Sequence, residues 1–183
     1  LYGVAAKAFP VIDDAAGESM QEAIREARED QDSVGGSIEC VVAGLPAGLG
    51  APDYGKNGEG IFSQYLFSVP GVKAVAFGAG VAFSLMRGSE ANDPFVKKDG
   101  AIVTKTNHAG GLNGGITNGM PVAFEVTMRP TPSIGLPQET VNLKTGEEDE
   151  VEITGRHDPC IVHRAVPVIE AAAALAACEM LGI

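Results

Sequence analysis

The stretch Arg164–Leu181 is an alanine-rich run with helical composition and almost no polar face, interrupted inside only by Glu170 and Glu179. A helix that is apolar around its circumference has to be covered by something. It is therefore expected to be buried on all sides, either between two sheets or at a subunit interface, with Pro167 opening it. It is not read as a membrane anchor, because the two glutamates interrupt it and no long uncharged span is flanked by basic residues. No apolar run ends in a small-residue cleavage site either.

The remaining elements say what such a helix can pack on. Glu18–Asp30 reads as an amphipathic helix, with Met20, Ala23, Ile24 and Ala27 at helical spacing between charged residues. Ser37–Ala43 alternates as a strand does, and Gly44–Asn57 is a glycine-rich loop. Gly60–Ser68 reads as a short helix with Ile61, Tyr65 and Leu66 on one side. Val72–Phe77 and Pro121–Met128 are strands, the second with the clearest alternation. Thr140–Leu143 and Glu150–Ile153 read as a hairpin turning at Thr145-Gly146. Gly78–Asn118 is predicted to be long and irregular, which inside a compact domain points to a functional or mobile segment. This order predicts an α+β fold, with an antiparallel sheet packed on helices. At 183 residues the chain fits a single domain spanning 1–183.

Hydrophobic residues make up 45% and charged residues 20%, which suits a globular chain and argues against disorder. The net charge of −11 argues against nucleic acid as a partner, since phosphate neutralisation needs a basic surface. An anionic ligand would require the few cations to be gathered locally. Arg87, Arg129, Arg156 and Arg164 fall in the stretch from 87 to 164, which also holds the three histidines. Cys40, Cys160 and Cys178 lack metal-ligand spacing and form no disulfide framework, so they are read as reduced thiols of a cytoplasmic protein. Cys160, between a proline and an apolar pair, is expected to be a buried structural thiol.

Three segments carry chemistry. Asn107–Gly119 (NHAGGLNGGITNG) offers main-chain N–H groups with few side chains in the way, so a flat or anionic ligand could lie against it. The alternative is a glycine-rich surface loop; no GKS/T or GxGxxG pattern is present. Met128–Ile134 (MRPTPSI) puts an arginine at a strand end before a proline-stiffened run with two hydroxyls, an arrangement suited to an oxyanion. A strand exit with a solvated arginine is the other reading. Thr154–Arg164 (TGRHDPCIVHR) gathers two arginines, two histidines and Asp158, which supply cations for an anion and a carboxylate able to act as a base. An Asp-Pro turn leading into the last helix explains the same residues structurally.

Together and in this order, these segments resemble the chorismate synthase family. The resemblance rests on Gly155-Arg156-His157-Asp158-Pro159-Cys160 followed by Arg164-Ala165-Val166-Pro167, on NHAGGLNGGITNGMP and on RPTPSI. DSVGGSIE, GLPAGLG, PGVKAVAFGAG and RGSEAND extend it over nearly the whole chain. It implies part of a β-α-β sandwich and an anti-1,4-elimination of phosphate from 5-enolpyruvylshikimate 3-phosphate to give chorismate. It also implies reduced FMN as cofactor, a cytoplasmic homotetramer, and neither a metal nor a membrane partner. Residue by residue, it implies that Gly114, Arg129, Pro130, Thr131, Pro132, Ser133 and Arg156 contact the flavin. Asp158 would take part in proton transfer, and Arg87 and Asn107 are secondary candidates for lining the substrate site. Arg129 stands where lysine is common in the family, and His163 stands where a non-ionisable residue is common, so His163 receives no role.

Family members are roughly twice this length. Their N-terminal half carries a GESHG-like segment, an arginine-rich substrate site and two acid-base histidines. None of these is present here, and Gly17-Glu18-Ser19-Met20 echoes GESHG only superficially, inside a helix. With Leu1-Tyr2-Gly3 at its start and no initiator methionine, the chain is expected to be the C-terminal portion of a longer enzyme, or the product of processing, and inactive alone. The alternative is a truncated module that binds FMN, a phosphate ligand or another subunit without turnover.

Overall fold

The computed structural model describes residues 3–183. It contains four α-helices, α1 (Asp14–Glu29), α2 (Gly58–Phe67), α3 (Gly88–Ala91) and α4 (Val162–Leu181). The strands are β1 (Gly36–Val42), β2 (Val72–Phe77), β3 (Phe95–Lys98), β4 (Ala101–Thr104), β5 (Leu112–Asn113), β6 (Ile116–Thr117), β7 (Val122–Met128), β8 (Gln138–Val141) and β9 (Glu148–Val151). Antiparallel pairing combined with helices makes the fold α+β, as expected. The chain divides into two compact units. One gathers the N-terminal segment through Gly36 with Arg129–Val166, and the other gathers Ser37–Met128 with Pro167–Ile183.

In the first unit, Asp13 caps α1 by accepting hydrogen bonds from the Ala15 and Ala16 N–H groups at 2.8 and 3.2 Å. Gly17 and Ala27 are the buried positions of α1, whereas Met20 is 51% exposed, so the apolar stripe expected along this helix is only partly used. Gly17 packs where a Cβ would meet a methyl of Val11 at 2.6 Å, so its smallness lets the entry segment close onto the helix. The chain leaving α1 is tied to two distant segments. Gly135 N–H donates to the Gln31 carbonyl and Val34 N–H to the Pro159 carbonyl, each at 2.8 Å. The hairpin β8–β9 turns at Gly146 as expected, although both strands begin two residues earlier than the alternation suggested.

In the second unit, a three-stranded sheet runs in the order β1-β7-β2, with β2 and β7 antiparallel and Phe77 opposite Phe124. The alternation of β7 is real: Val122, Phe124, Val126 and Met128 are buried while Glu125 and Thr127 are exposed. Helix α2 packs on β2 and is capped by the Asn57 side chain, which accepts from Gly60 N–H at 2.6 Å. Ile61, Phe62 and Leu66 are its buried apolar side chains, and Tyr65 is only partly covered. The rings of Phe62, Phe77 and Phe124 meet with centroids 5.8–6.4 Å apart and form the aromatic centre of the core.

Two expectations are corrected. Gly78–Asn118 is not a long irregular loop. It contains a 3-10 turn at Gly80–Leu85, the short α3, and the hairpins β3–β4 and β5–β6. These strands have two to four residues, too short for a periodicity signal. Helix α4 begins at Val162, so Pro167 lies inside it, where it has no N–H to return to the His163 carbonyl. Among the described residues, this chain by itself covers only part of α4. Ile169, Ala172, Ala173, Ala176, Ala177 and Met180 form one buried stripe, while Val168 and Leu175 are 48% and 56% exposed. No helix among the described residues is long and apolar enough to cross a membrane.

All three cysteines are free, and Cys160 is buried as expected. Desolvation and the Glu170 carboxylate push the Cys40 thiol up to about 11, against a weaker opposing hydrogen bond from the Val41 backbone. At pH 8 its thiolate population is therefore about 100-fold below that of an ordinary cysteine. Iodoacetamide should alkylate Cys40 in the native protein slower by about that factor than it alkylates a free cysteine, read by peptide mass spectrometry.

Candidate functional site

The first unit brings together two of the three segments expected to carry the chemistry. Beyond β7, Pro130 and Pro132 restrict the backbone, and the Ser33 hydroxyl donates to the Thr131 carbonyl at 2.6 Å. The exit of α1 thus holds the RPTPS run, although Ser33 and Thr131 are 98 residues apart. Arg129 is exposed, and its Nε–H donates to the Pro130 carbonyl at 3.2 Å. The Thr131 hydroxyl oxygen is buried without a hydrogen-bond partner.

Ser133 and His157 meet at 3.4 Å between Oγ and Nδ1, and His157 Nε2 lies 2.8 Å from the Ile153 carbonyl. A carbonyl only accepts, so Nε2 carries the proton in the neutral ring. Nδ1 is then the acceptor and the Ser133 hydroxyl donates to it. His157 is therefore a strut between the two segments. Asp158 is held from both sides. Its Oδ2 accepts from Arg164 Nη1 at 2.6 Å, and Oδ1 accepts from Cys160 N–H at 3.4 Å across Pro159. This is the Asp-Pro turn weighed from the sequence, and it feeds the chain into α4. The Asp158–Arg164 pair is largely solvated, with 71% of the arginine side chain exposed, so it orients the carboxylate more than it stabilises the fold.

Arg28, Arg156, His157, Asp158, His163 and Arg164 line an open cavity of about 400 Å³. Three guanidiniums face one carboxylate there, which reverses locally the acidic character of the whole chain. Arg28 is a cavity residue that the sequence did not single out, and His163, given no role from the sequence, also lines the cavity. The only signal for Arg28 was a cation in the last turn of a helix. The His163 ring lies against Phe9 with centroids 5.7 Å apart, and its Nδ1 is buried without a partner.

The other candidates belong to the second unit. Asn107 Nδ2 donates to the Pro121 carbonyl at 2.9 Å, while its Oδ1 is buried with no donor. Gly114 and Gly115, with φ of 58° and 83°, form the two-residue turn joining β5 to β6. Gly114 has open space where a side chain would stand. Arg87 is exposed at the start of α3, where its backbone N–H donates to Glu90 Oε2 at 2.9 Å. Of the residues proposed from the sequence, Arg129–Ser133, Arg156 and Asp158 thus share one unit, and Arg87, Asn107 and Gly114 share the other.

Taken by themselves, the fold and the first unit's cavity define an α+β protein with an arginine-rich recess suited to an anion. Comparison with known proteins narrows this class. The family model described as chorismate synthase matches residues 2–181. A chorismate synthase of Methanocella arvoryzae is 52% identical over 160 residues, covering 87% of this chain and 43% of that protein. One from Lancefieldella parvula is 42% identical over 181 residues, covering 99% of this chain and 47% of that protein. A solved structure, "Crystal Structure of Chorismate Synthase", matches with a TM-score of 0.72 at 27% identity, over 90% of this chain and 42% of that chain. The chain belongs to the chorismate synthase family, as its motifs implied. It spans less than half the length of these curated relatives.

Proposed function

We propose that this chain is the C-terminal portion of an enzyme that eliminates phosphate from 5-enolpyruvylshikimate 3-phosphate to give chorismate, with reduced FMN. The observation that carries the reading is the gathering of Arg28, Arg156 and Arg164 around one recess beside Asp158, in a chain of net charge −11. In the 1,4-elimination a ring C–H bond and the C–O bond to phosphate both break, a new ring double bond forms, and no net redox change occurs. The residues fit the cofactor. In the first unit the recess offers guanidiniums to a phosphate, and the buried Thr131 hydroxyl is a group that lacks a partner. Arg129–Ser133, Gly114 and Arg156 would hold reduced FMN, which would supply the transient electron density that the elimination needs with no net redox change.

The chain's own residues then have distinct tasks. Arg156, with Arg28 nearby in the recess, stabilises anionic charge through hydrogen bonds that strengthen where water is excluded. Arg129–Ser133 and Gly114 are the flavin contacts, the first held by Ser33 and His157 and the second shaped by a glycine turn. Asp158 is the proton carrier, with Arg164 holding one oxygen and leaving the other in only a long bond to Cys160 N–H. Arg87 and Asn107 line the substrate side. The reading includes a homotetramer in the cytoplasm, supported by the exposed apolar face of α4 and the free thiols.

Arg156→Ala in the complete protein tests this. Loss of a charge-assisted hydrogen bond predicts flavin or substrate binding weaker by about 10- to 100-fold, read by FMN fluorescence and phosphate release. Unchanged flavin affinity and unchanged turnover would remove Arg156 from the site. FMN binding without any phosphate release by the complete protein would favour the alternative, a binding module without turnover.

A further inference from the structure

A cluster outside the recess bears on the glycine-rich segment. Asp93 lies between α3 and β3, half-buried, and three donors converge on its carboxylate. Oδ1 accepts from the Thr106 hydroxyl at 2.7 Å and from His108 N–H at 2.8 Å, and Oδ2 accepts from Ala109 N–H at 2.8 Å. The opposite side of the same backbone is also held. Ala79 N–H donates to the His108 carbonyl at 2.7 Å, and Ala123 N–H donates to the Gly110 carbonyl at 3.2 Å. A stretch containing Gly110-Gly111 has high conformational entropy in isolation, so it holds one geometry only where such bonds constrain it. Between the two sets of bonds sits Asn107, anchored through Nδ2 and left with a buried, unpartnered Oδ1.

We infer that Asp93 is a positioning residue: its carboxylate clamps Thr106–Ala109 so that the Asn107 side-chain oxygen is presented to a hydrogen-bond donor of the bound ligand. The inference rests on the proposed site role of the Asn107–Gly119 segment. Asp93 itself touches no ligand in this scheme. Two consecutive main-chain N–H groups bound to one carboxylate fix the direction of the peptide planes next to Asn107, which a single bond would not do. Burial pushes the Asp93 carboxyl up, but the hydrogen bonds from Ala109, Thr106 and His108 and the nearby His108 ring outweigh it. They hold the group below the usual carboxylate range. The folded-state value is thus lower than the unfolded one. The clamp is complete above about pH 4 and loosens as pH falls through the depressed value.

Asp93→Asn is the informative change, because the amide presents an N–H₂ where a second acceptor is required. Thr106→Val removes one donor and leaves the carboxylate, so it gives a milder variant should the first fold poorly. In the complete protein, two quantities are measured on each: hydrogen exchange at the His108 and Ala109 amides, and affinity for 5-enolpyruvylshikimate 3-phosphate by calorimetric titration. The expected result is exchange faster by about tenfold or more at those amides in Asp93→Asn, with the substrate bound about tenfold more weakly, and smaller changes of the same kind in Thr106→Val. Unchanged exchange at both amides overturns the clamp. Faster exchange with unchanged substrate affinity overturns the positioning role and leaves Asp93 a purely structural residue. If the unaltered protein itself binds no 5-enolpyruvylshikimate 3-phosphate, the functional reading fails and the positioning role with it, while the exchange data still decide whether the clamp exists.

Discussion

Gly78→Ala should destabilise the protein by roughly 2–5 kcal/mol, a large share of the stability of an ordinary domain. Gly78 follows β2 with φ of 56°, in the left-handed region. An alanine there costs about 1–2 kcal/mol from backbone strain alone. The larger cost is steric. A Cβ would stand inside the contact radius of the His108 carbonyl oxygen and of the Gly110 nitrogen, both main-chain atoms that cannot rotate away. The same atoms are pinned, the His108 carbonyl by the hydrogen bond it accepts from Ala79 N–H and the Gly110 nitrogen by the one it donates to the Asn107 carbonyl. Relief therefore requires the Asn107–Gly111 segment to shift, and the variant should lose site geometry together with stability. Gly114→Ala is the control: its φ is 58°, yet nothing lies within 4 Å of the added carbon. It should cost only the strain, about 1–2 kcal/mol. Urea unfolding of both variants, with the slope checked for constancy, separates strain from collision. Equal losses in the two would mean that the close approach at Gly78 is not rigid.

Phe62→Ala should cost about 3–5 kcal/mol. Phe62 is 0% exposed, and its ring joins Phe77 and Phe124 at centroid distances of 6.4 and 5.8 Å. Those partners face each other across the β2–β7 ladder, so the ring of one α2 residue fastens the helix to both strands. Removing it leaves a void between elements that the sheet's hydrogen bonds hold in place, and little collapse can fill it. Leu143→Ala supplies the contrast. Leu143 is 98% exposed, and its truncation should stay within about 0.5 kcal/mol. Denaturant midpoints measured on the two variants give the comparison directly. A small loss at Phe62 would show that the aromatic centre repacks.

The elements that the sequence revealed are those whose stability is local and periodic. Val72–Phe77 was read to the residue, and β7 was legible because every second side chain is apolar over a full strand. The β5–β6 and β3–β4 hairpins escaped because each strand is short. Even so, Asp99-Gly100, with φ of 50° and 84°, was an available turn signal between Lys98 and Ala101. Pro167 was misread as a helix start because a proline is most at home in a first turn. In α4 the helix carries on through it and forgoes one hydrogen bond. Composition shows that α4 is apolar, not which neighbours cover it, and within this chain only one stripe of it is covered.

The site divides in the same way. Motifs were enough to name Arg129–Ser133, Arg156 and Asp158 and to point to the family, because their residue types follow one another along the chain. Sequence reasoning had no means of finding Arg28 beside them, or Asp93 beneath the glycine-rich segment. Those roles arise from contacts such as Ser33 with Thr131 and Asp93 with His108, which join residues far apart in the chain. By itself, then, the sequence determined the α+β class, the family and the order of its chemical segments, since these reside in local composition and spacing. Only the tertiary structure decided which cations share a recess, which oxygen of Asp158 is restrained and which polar atoms are left without partners. Hydrogen bonds and packing depend on distance in space, and that is set when the chain closes on itself.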